Sequence, residues 1–103
     1  MTLDDIPTLV RFGRLYWNQM GADVYGSVQN AMRQMLEDGG EETRLALRQE
    51  LTFIGRGDAY AKWLKKARYD IPTIRQLGGA FILPDEVPAL LMTVESHSGG
   101  KPS

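Results

Sequence analysis

Thirteen carboxylates, one histidine and no cysteine are the groups with which this 103-residue sequence could do chemistry. Four of the carboxylates gather around two glycines in Glu37-Asp38-Gly39-Gly40-Glu41-Glu42. Such a cluster suits a basic partner, whose approach it would speed and whose register it would set. Helix-dipole chemistry accounts equally for acids that open a helix, as Glu41 and Glu42 do. Glycoside hydrolysis needs a carboxyl group raised by desolvation beside an ionised one, and no acid here sits in a local context that suggests it. His97 lies between two serines, and no Ser-His-Asp arrangement can be assembled around it. The acidic pairs Asp4-Asp5, Glu37-Asp38 and Glu41-Glu42 lack metal-ligand spacing, and without cysteine there is no thiolate ligand, nucleophile or disulfide. Gly55-Arg56-Gly57 has neither the preceding strand nor the spaced glycines and Lys-Ser/Thr of a phosphate loop. The expectation is a chain with no catalytic group, cofactor or metal.

A second constellation is basic and aromatic. Between Gly55 and Leu83 six basic residues face two acids, net +4, whereas Met1 to Ile54 is net -3. Arg56, Lys62, Lys65, Lys66 and Arg68, with Tyr60, Trp63 and Tyr69 interleaved, could hold phosphates and stack bases within 56–75. Tyr60 and Trp63 share the spacing of a buried stripe, however, and the lysines fall mostly on the other face, as on any solvated amphipathic helix. A small helical nucleic-acid-binding module is therefore the alternative reading. The third candidate is Trp17-Asn18-Gln19, an aromatic beside two amides at the end of a helix, which suits an interface anchor or a covered core edge.

Helices must position these groups. Pro7 sits where a first turn tolerates it, and Leu9, Phe12, Leu15 and Tyr16 follow helical spacing from Asp5 or Ile6 until Gly21. A second helix is expected over Asp23 to Asp38, with Tyr25, Val28, Met32, Met35 and Leu36 inward and Gly39-Gly40 as its stop. Glu41 opens a third, carrying Leu47, Leu51 and Ile54 before Gly55. Asp58 is expected to cap a fourth with Tyr60, Trp63, Leu64 and Ala67 inward. Asp70-Ile71-Pro72-Thr73 repeats Asp5-Ile6-Pro7-Thr8, which predicts the same capping chemistry used twice and a short fifth helix through Leu77. Asp85 is expected to cap a last helix, Glu86 to Glu95, after a connector at 79–83. These elements predict one all-α domain of five or six short helices over residues 1–95, followed by a flexible tail at 96–103.

Composition agrees with a folded chain: 43% hydrophobic and 24% charged residues lie far from the balance that stays disordered. The opening MTLDD places acids where a secretory signal needs positive charge, and no apolar run approaches the length of a bilayer span, so a cytoplasmic location is expected.

The residues Pro7, Leu9, Phe12 and Tyr16-Trp17-Asn18-Gln19 together resemble a family of immunity proteins from contact-dependent growth inhibition systems. In that family a Pro-x-Leu helix start and a Phe precede an aromatic-aromatic-(His or Asn)-Gln segment and an acidic amphipathic helix. Val24 to Leu36, Glu41 to Ile54 and Ile74-Arg75-Gln76-Leu77-Gly78 resemble its later elements more loosely. The sequence departs from it at Met20-Gly21, where an acidic-aromatic pair is usual, and at Leu90-Leu91, where the family has Trp-Leu. The resemblance implies a non-enzymatic inhibitor whose partner is the cognate C-terminal toxin domain, in many cases a nuclease, with carboxylates standing in for nucleic-acid phosphates. Glu37, Asp38, Glu41, Glu42, Trp17 and Asn18 are the residues expected to meet that toxin.

Overall fold

The computed structural model describes residues 1–79 and 81–97. The chain folds as one small all-α domain with a radius of gyration of 13.0 Å, and no strand occurs among the described residues. Its helices are α1 (Pro7–Leu15), α2 (Gly21–Tyr25), α3 (Val28–Ile54), α4 (Ala59–Ala67), α5 (Ile71–Gln76) and α6 (Val87–Ser96), with short 3-10 turns at Leu3–Asp5 and Pro84–Glu86. The central element is α3, which packs most extensively on α6 and also on α1 and α2. Phe12, Met32, Met35, Leu36, Leu47, Leu51, Leu90 and Val94 are the largest fully buried side chains, so the core is drawn from α1, both halves of α3 and α6. The expected inward residues of the second, third, fourth and last helices are buried, with Tyr25, Trp63 and Leu91 at the edge of the core. Leu15 does not: it is 62% exposed at the end of α1.

Two boundaries differ from those the sequence predicts. The first helix ends at Leu15 rather than Gly21, because Asn18 turns the chain: its Nδ2 donates to the Arg14 carbonyl at 3.1 Å and its Oδ1 accepts from the Met20 N–H at 2.9 Å. Gly21 instead opens α2. The expected helix over Asp23 to Asp38 is split at Gly26, whose φ of 81° lies in the left-handed region. Ser27 then caps α3 by accepting from the Asn30 N–H at 3.1 Å. The boundary at Gly39-Gly40 falls where the sequence places it: Gly40 leaves helical geometry, with φ 69° and ψ -160°, and α3 is two helical arms meeting at this break. That backbone region is essentially reserved for glycine.

The two Asp-Ile-Pro-Thr segments diverge. Asp70 caps α5, its carboxylate accepting from the Thr73 N–H at 3.1 Å and from the Thr73 hydroxyl at 2.6 Å. Asp5 instead turns back to accept from the Thr2 N–H. The first turn of α1 is satisfied from elsewhere: the N–H groups of Leu9 and Thr8 donate to Oε1 and Oε2 of the buried Glu50, at 2.8 and 3.1 Å. Asp58 and Asp85 make no cap either. Asp58 pairs with Lys62 at 3.3 Å, and the turn before α6 is closed by Glu86, which accepts from the Leu83 N–H at 2.8 Å. The connector before α6 shows no strand at the described residues 79 and 81–83, and of the expected tail residues 98–103 lie outside the described residues.

Candidate functional site

The acidic turn is built by the break in α3. The arm 28–39 buries Met32, Met35 and Leu36, so Glu37 and Asp38 fall on its outer face, and Gly40 redirects the chain before Glu41 and Glu42. All four carboxylates are exposed, yet they are not equivalent. Asp38 is held through both oxygens, accepting from the Tyr16 hydroxyl at 2.8 Å and from Gln34 Nε2 at 3.0 Å. Glu41 pairs with Arg44 one turn on. The guanidinium's hydrogen bond lowers the Glu41 pKa, and the same bond raises that of Arg44. Glu37 and Glu42 make no side-chain hydrogen bond or ion pair among the described residues, and they carry the charge the turn presents to solvent.

Helix α1 fixes the angle at which this turn is displayed. Its N-terminus is tied to Glu50 on the second arm of α3, and its C-terminal neighbour Tyr16 is tied to Asp38 on the first. α1 therefore spans the break and acts as a splint across it. Tyr16 stacks near Phe12, with ring centroids 6.4 Å apart, and its phenol is pushed up to about 12 by partial burial first and then by its hydrogen bond to Asp38.

Trp17 and Asn18 do not join the acidic turn. Trp17 is half-buried against the opposite side of α1, lining with Leu9, Phe12, Tyr60, Trp63 and Phe81 a core cavity of about 20 Å³. That space is apolar and holds one water at most, so it is a packing void. Asn18 is spent on the local turn described above. The Trp17-Asn18-Gln19 segment owes its position to a close backbone crossing, in which a Cβ on Gly13 would stand 2.6 Å from the Leu77 carbonyl oxygen. Beside that crossing the Gln19 N–H donates to the Gly78 carbonyl.

On the basic segment Lys62, Lys65, Lys66 and Arg68 are exposed, and Trp63 with the three lysines lines a surface depression of about 610 Å³ beside Met1. Tyr69 is 81% exposed. Tyr60 is withdrawn from this surface: its hydroxyl donates to the buried Ile82 carbonyl at 2.5 Å, and desolvation, then the charge of Glu86, raises its pKa. Among the described residues no three His, Cys, Asp or Glu side chains converge on a point, and no helix is long and apolar enough to cross a membrane.

Two features escaped the sequence reading. Glu50 occupies an inward position between Leu47 and Leu51, a signal visible in the helical spacing of that segment. A second apolar stripe, Leu45 and Phe53, runs along the outer face of the same arm, and its spacing is equally visible. Comparison with protein-family models, with curated proteins and with solved structures returns no match for this chain.

Proposed function

We propose that this protein is a cytoplasmic, non-enzymatic immunity protein of the contact-dependent growth inhibition type, which binds the C-terminal toxin domain of a cognate effector and occludes its active site. The observation that carries this reading is the braced acidic turn. Asp38 and Glu41 are already held by Tyr16, Gln34 and Arg44, so part of the side-chain ordering that binding requires is complete before the partner arrives. Glu37 and Glu42 project beside them with their charge uncompensated. A nuclease cleft built for phosphates offers the matching basic surface, and carboxylates at fixed spacing occupy it in place of substrate. The resemblance through Pro7, Leu9, Phe12 and Tyr16 to Gln19 supports the same class.

The test is co-expression with the toxin encoded beside this chain. The immunity reading expects growth to be restored, the two proteins to co-purify, and their association rate to fall with salt. Charge reversal by Glu37→Lys with Glu42→Lys should slow association by about tenfold or more while leaving the melting curve unchanged, because both side chains are exposed. If the chain neither binds that toxin nor restores growth, the proposal is wrong.

One observation favours a second reading, a nucleic-acid-binding module: the depression that combines the indole of Trp63 with Lys62, Lys65 and Lys66. Its signature is filter binding that weakens steeply with salt and with charge reversal at those lysines. No retention of single- or double-stranded nucleic acid at low salt removes it.

A further inference from the structure

The outer face of the second arm of α3 is a patch that folding leaves uncovered. Leu45 and Phe53 are 45% and 43% exposed, although Leu47, Leu51 and Ile54 on the inner face are buried. With Arg48, Gln49, Thr52 and Arg56 they line a shallow groove of about 400 Å³. The stripe begins at Glu42, one turn before Leu45, and ends at Arg56, one turn after Phe53.

Read outward from Gln49, this stripe is its own complement. Leu45 and Phe53 stand four residues to either side, and Glu42 and Arg56 seven. With a rise of about 1.5 Å per residue, each apolar residue lies about 6 Å from Gln49 along the axis and Glu42 about 10 Å; Arg56 lies two residues past the end of α3 and lines the same groove. We propose that a second copy of this chain docks here, the two α3 helices running antiparallel about a two-fold axis at Gln49. Leu45 of each protomer then meets Phe53 of its partner, and Glu42 meets Arg56. Gln49 faces its own symmetry mate, and an amide carries both a donor and an acceptor, so it can pair with itself. A parallel arrangement would oppose Glu42 to Glu42 and Arg56 to Arg56. The end charges favour the two-fold, isologous geometry in which most homo-oligomers close, against the repulsion of the two Arg48 side chains that flank the axis.

Affinity comes from covering Leu45 and Phe53, while the two rim ion pairs set register and contribute little else. The patch continues into an adjoining depression, where Thr52 and Arg56 face Pro84, Pro88 and Leu91, so the contact is wider than one helix stripe. It remains small beside an obligate dimer interface, and the association is expected to be reversible at micromolar concentration. The dimer requires no toxin, but it engages Glu42, which the immunity reading turns toward the toxin; Leu45→Glu and Phe53→Glu leave Glu42 in place and so test the dimer separately.

Analytical ultracentrifugation of the full chain from a few micromolar to several hundred micromolar tests it. The expected result is a concentration-dependent shift from 11.5 kDa to twice that mass. Leu45→Glu and Phe53→Glu should each weaken the dimer by about tenfold or more, with the melting curve of the monomer retained because both positions are exposed. Glu42→Arg and Arg56→Glu should each weaken it by about fivefold, and the double variant E42R/R56E should restore it, because the swapped charges again complement each other across the axis. A single 11.5 kDa species throughout overturns the proposal. So does a dimer that survives Phe53→Glu, or a double variant no better than the single ones.

Discussion

Glu50 caps the first turn of α1 from within the domain. Its carboxylate lies inside the domain and accepts from the N–H groups of Leu9, at 2.8 Å, and Thr8, at 3.1 Å. Those are first-turn donors of α1, which lack any partner within their own helix. Glu50→Ala removes both acceptors. The Leu9 N–H is buried, and leaving such a donor unmade costs about 1–3 kcal/mol; the Thr8 N–H is only partly buried, so water recovers much of its bond. Loss of a negative charge at the positive end of α1 adds about 0.3–1 kcal/mol. Relief of the carboxylate's own desolvation acts in the opposite direction, which keeps the total at about 1–3 kcal/mol. With a urea slope of about 1–1.5 kcal/mol per molar for a chain of this length, the midpoint should fall by about 1–2 M. Glu50→Gln keeps the shape and one acceptor, so it should lose roughly half as much. Urea titration followed by far-UV circular dichroism measures both. If Glu50→Ala lies within about 0.5 kcal/mol of the parent, or Gln is as damaging as Ala, then the carboxylate is not capping α1 as argued.

The Tyr16 phenol has a folded pKa of about 12, above the value of 10.0 it takes when unperturbed. Its contribution to stability is complete below pH 10 and is lost as pH rises toward 12, so the parent should lose stability over that window more steeply than Tyr16→Phe, by denaturant titration at several alkaline pH values. Equal slopes would deny the raised phenol pKa, and with it both its burial and its bond to Asp38. Gly40→Ala should cost about 1–3 kcal/mol through backbone strain alone, since nothing lies within 4 Å of the added Cβ. An unchanged thermal melt would mean that the break at Gly40 is not required. Gly13→Ala acts by a different route, because its Cβ meets the Leu77 carbonyl oxygen at 2.6 Å and must push α1 and α5 apart. A loss of about 1–3 kcal/mol is expected, and a neutral result in the same melt would remove the close crossing.

Much of the architecture was legible because the chain is punctuated by residues with one local meaning. Asp70 before Pro72 signals a capped helix and forms one, and Leu47, Leu51 and Ile54 reveal their inward face by spacing alone. The errors arise where spacing runs across a break or where a distant group intervenes. Tyr25 and Val28 stay in helical register on either side of Gly26-Ser27, so periodicity carries straight over the junction between α2 and α3. Asp5 and Asp70 share the same local sequence, but only near Asp5 does a carboxylate 42 residues from Thr8 reach the helix start first. Local chemistry is identical at the two sites, and tertiary contact decides between them.

The candidate site shows the same division. Four carboxylates around two glycines announce an exposed acidic turn, and they are exposed. What composition cannot announce is which of them remain available, because that depends on the hydroxyl of Tyr16, 22 residues from Asp38, and on the rotamer of Arg44. Trp17 misleads for a related reason. An aromatic at a helix end suits an interface anchor, but the crossing of α1 over Leu77 and Gly78 turns it toward Tyr60 and Trp63. The residue that serves the acidic turn is its neighbour Tyr16. It joins the turn to α1, and α1 is held at its other end by Glu50. A flexible break in α3 would let Glu37 and Glu42 sample many separations, and any partner would have to order them on binding. With α1 fastened on both sides of Gly40, their spacing is set by the core itself. The helix that stabilises the fold is thereby the one that shapes the acidic surface.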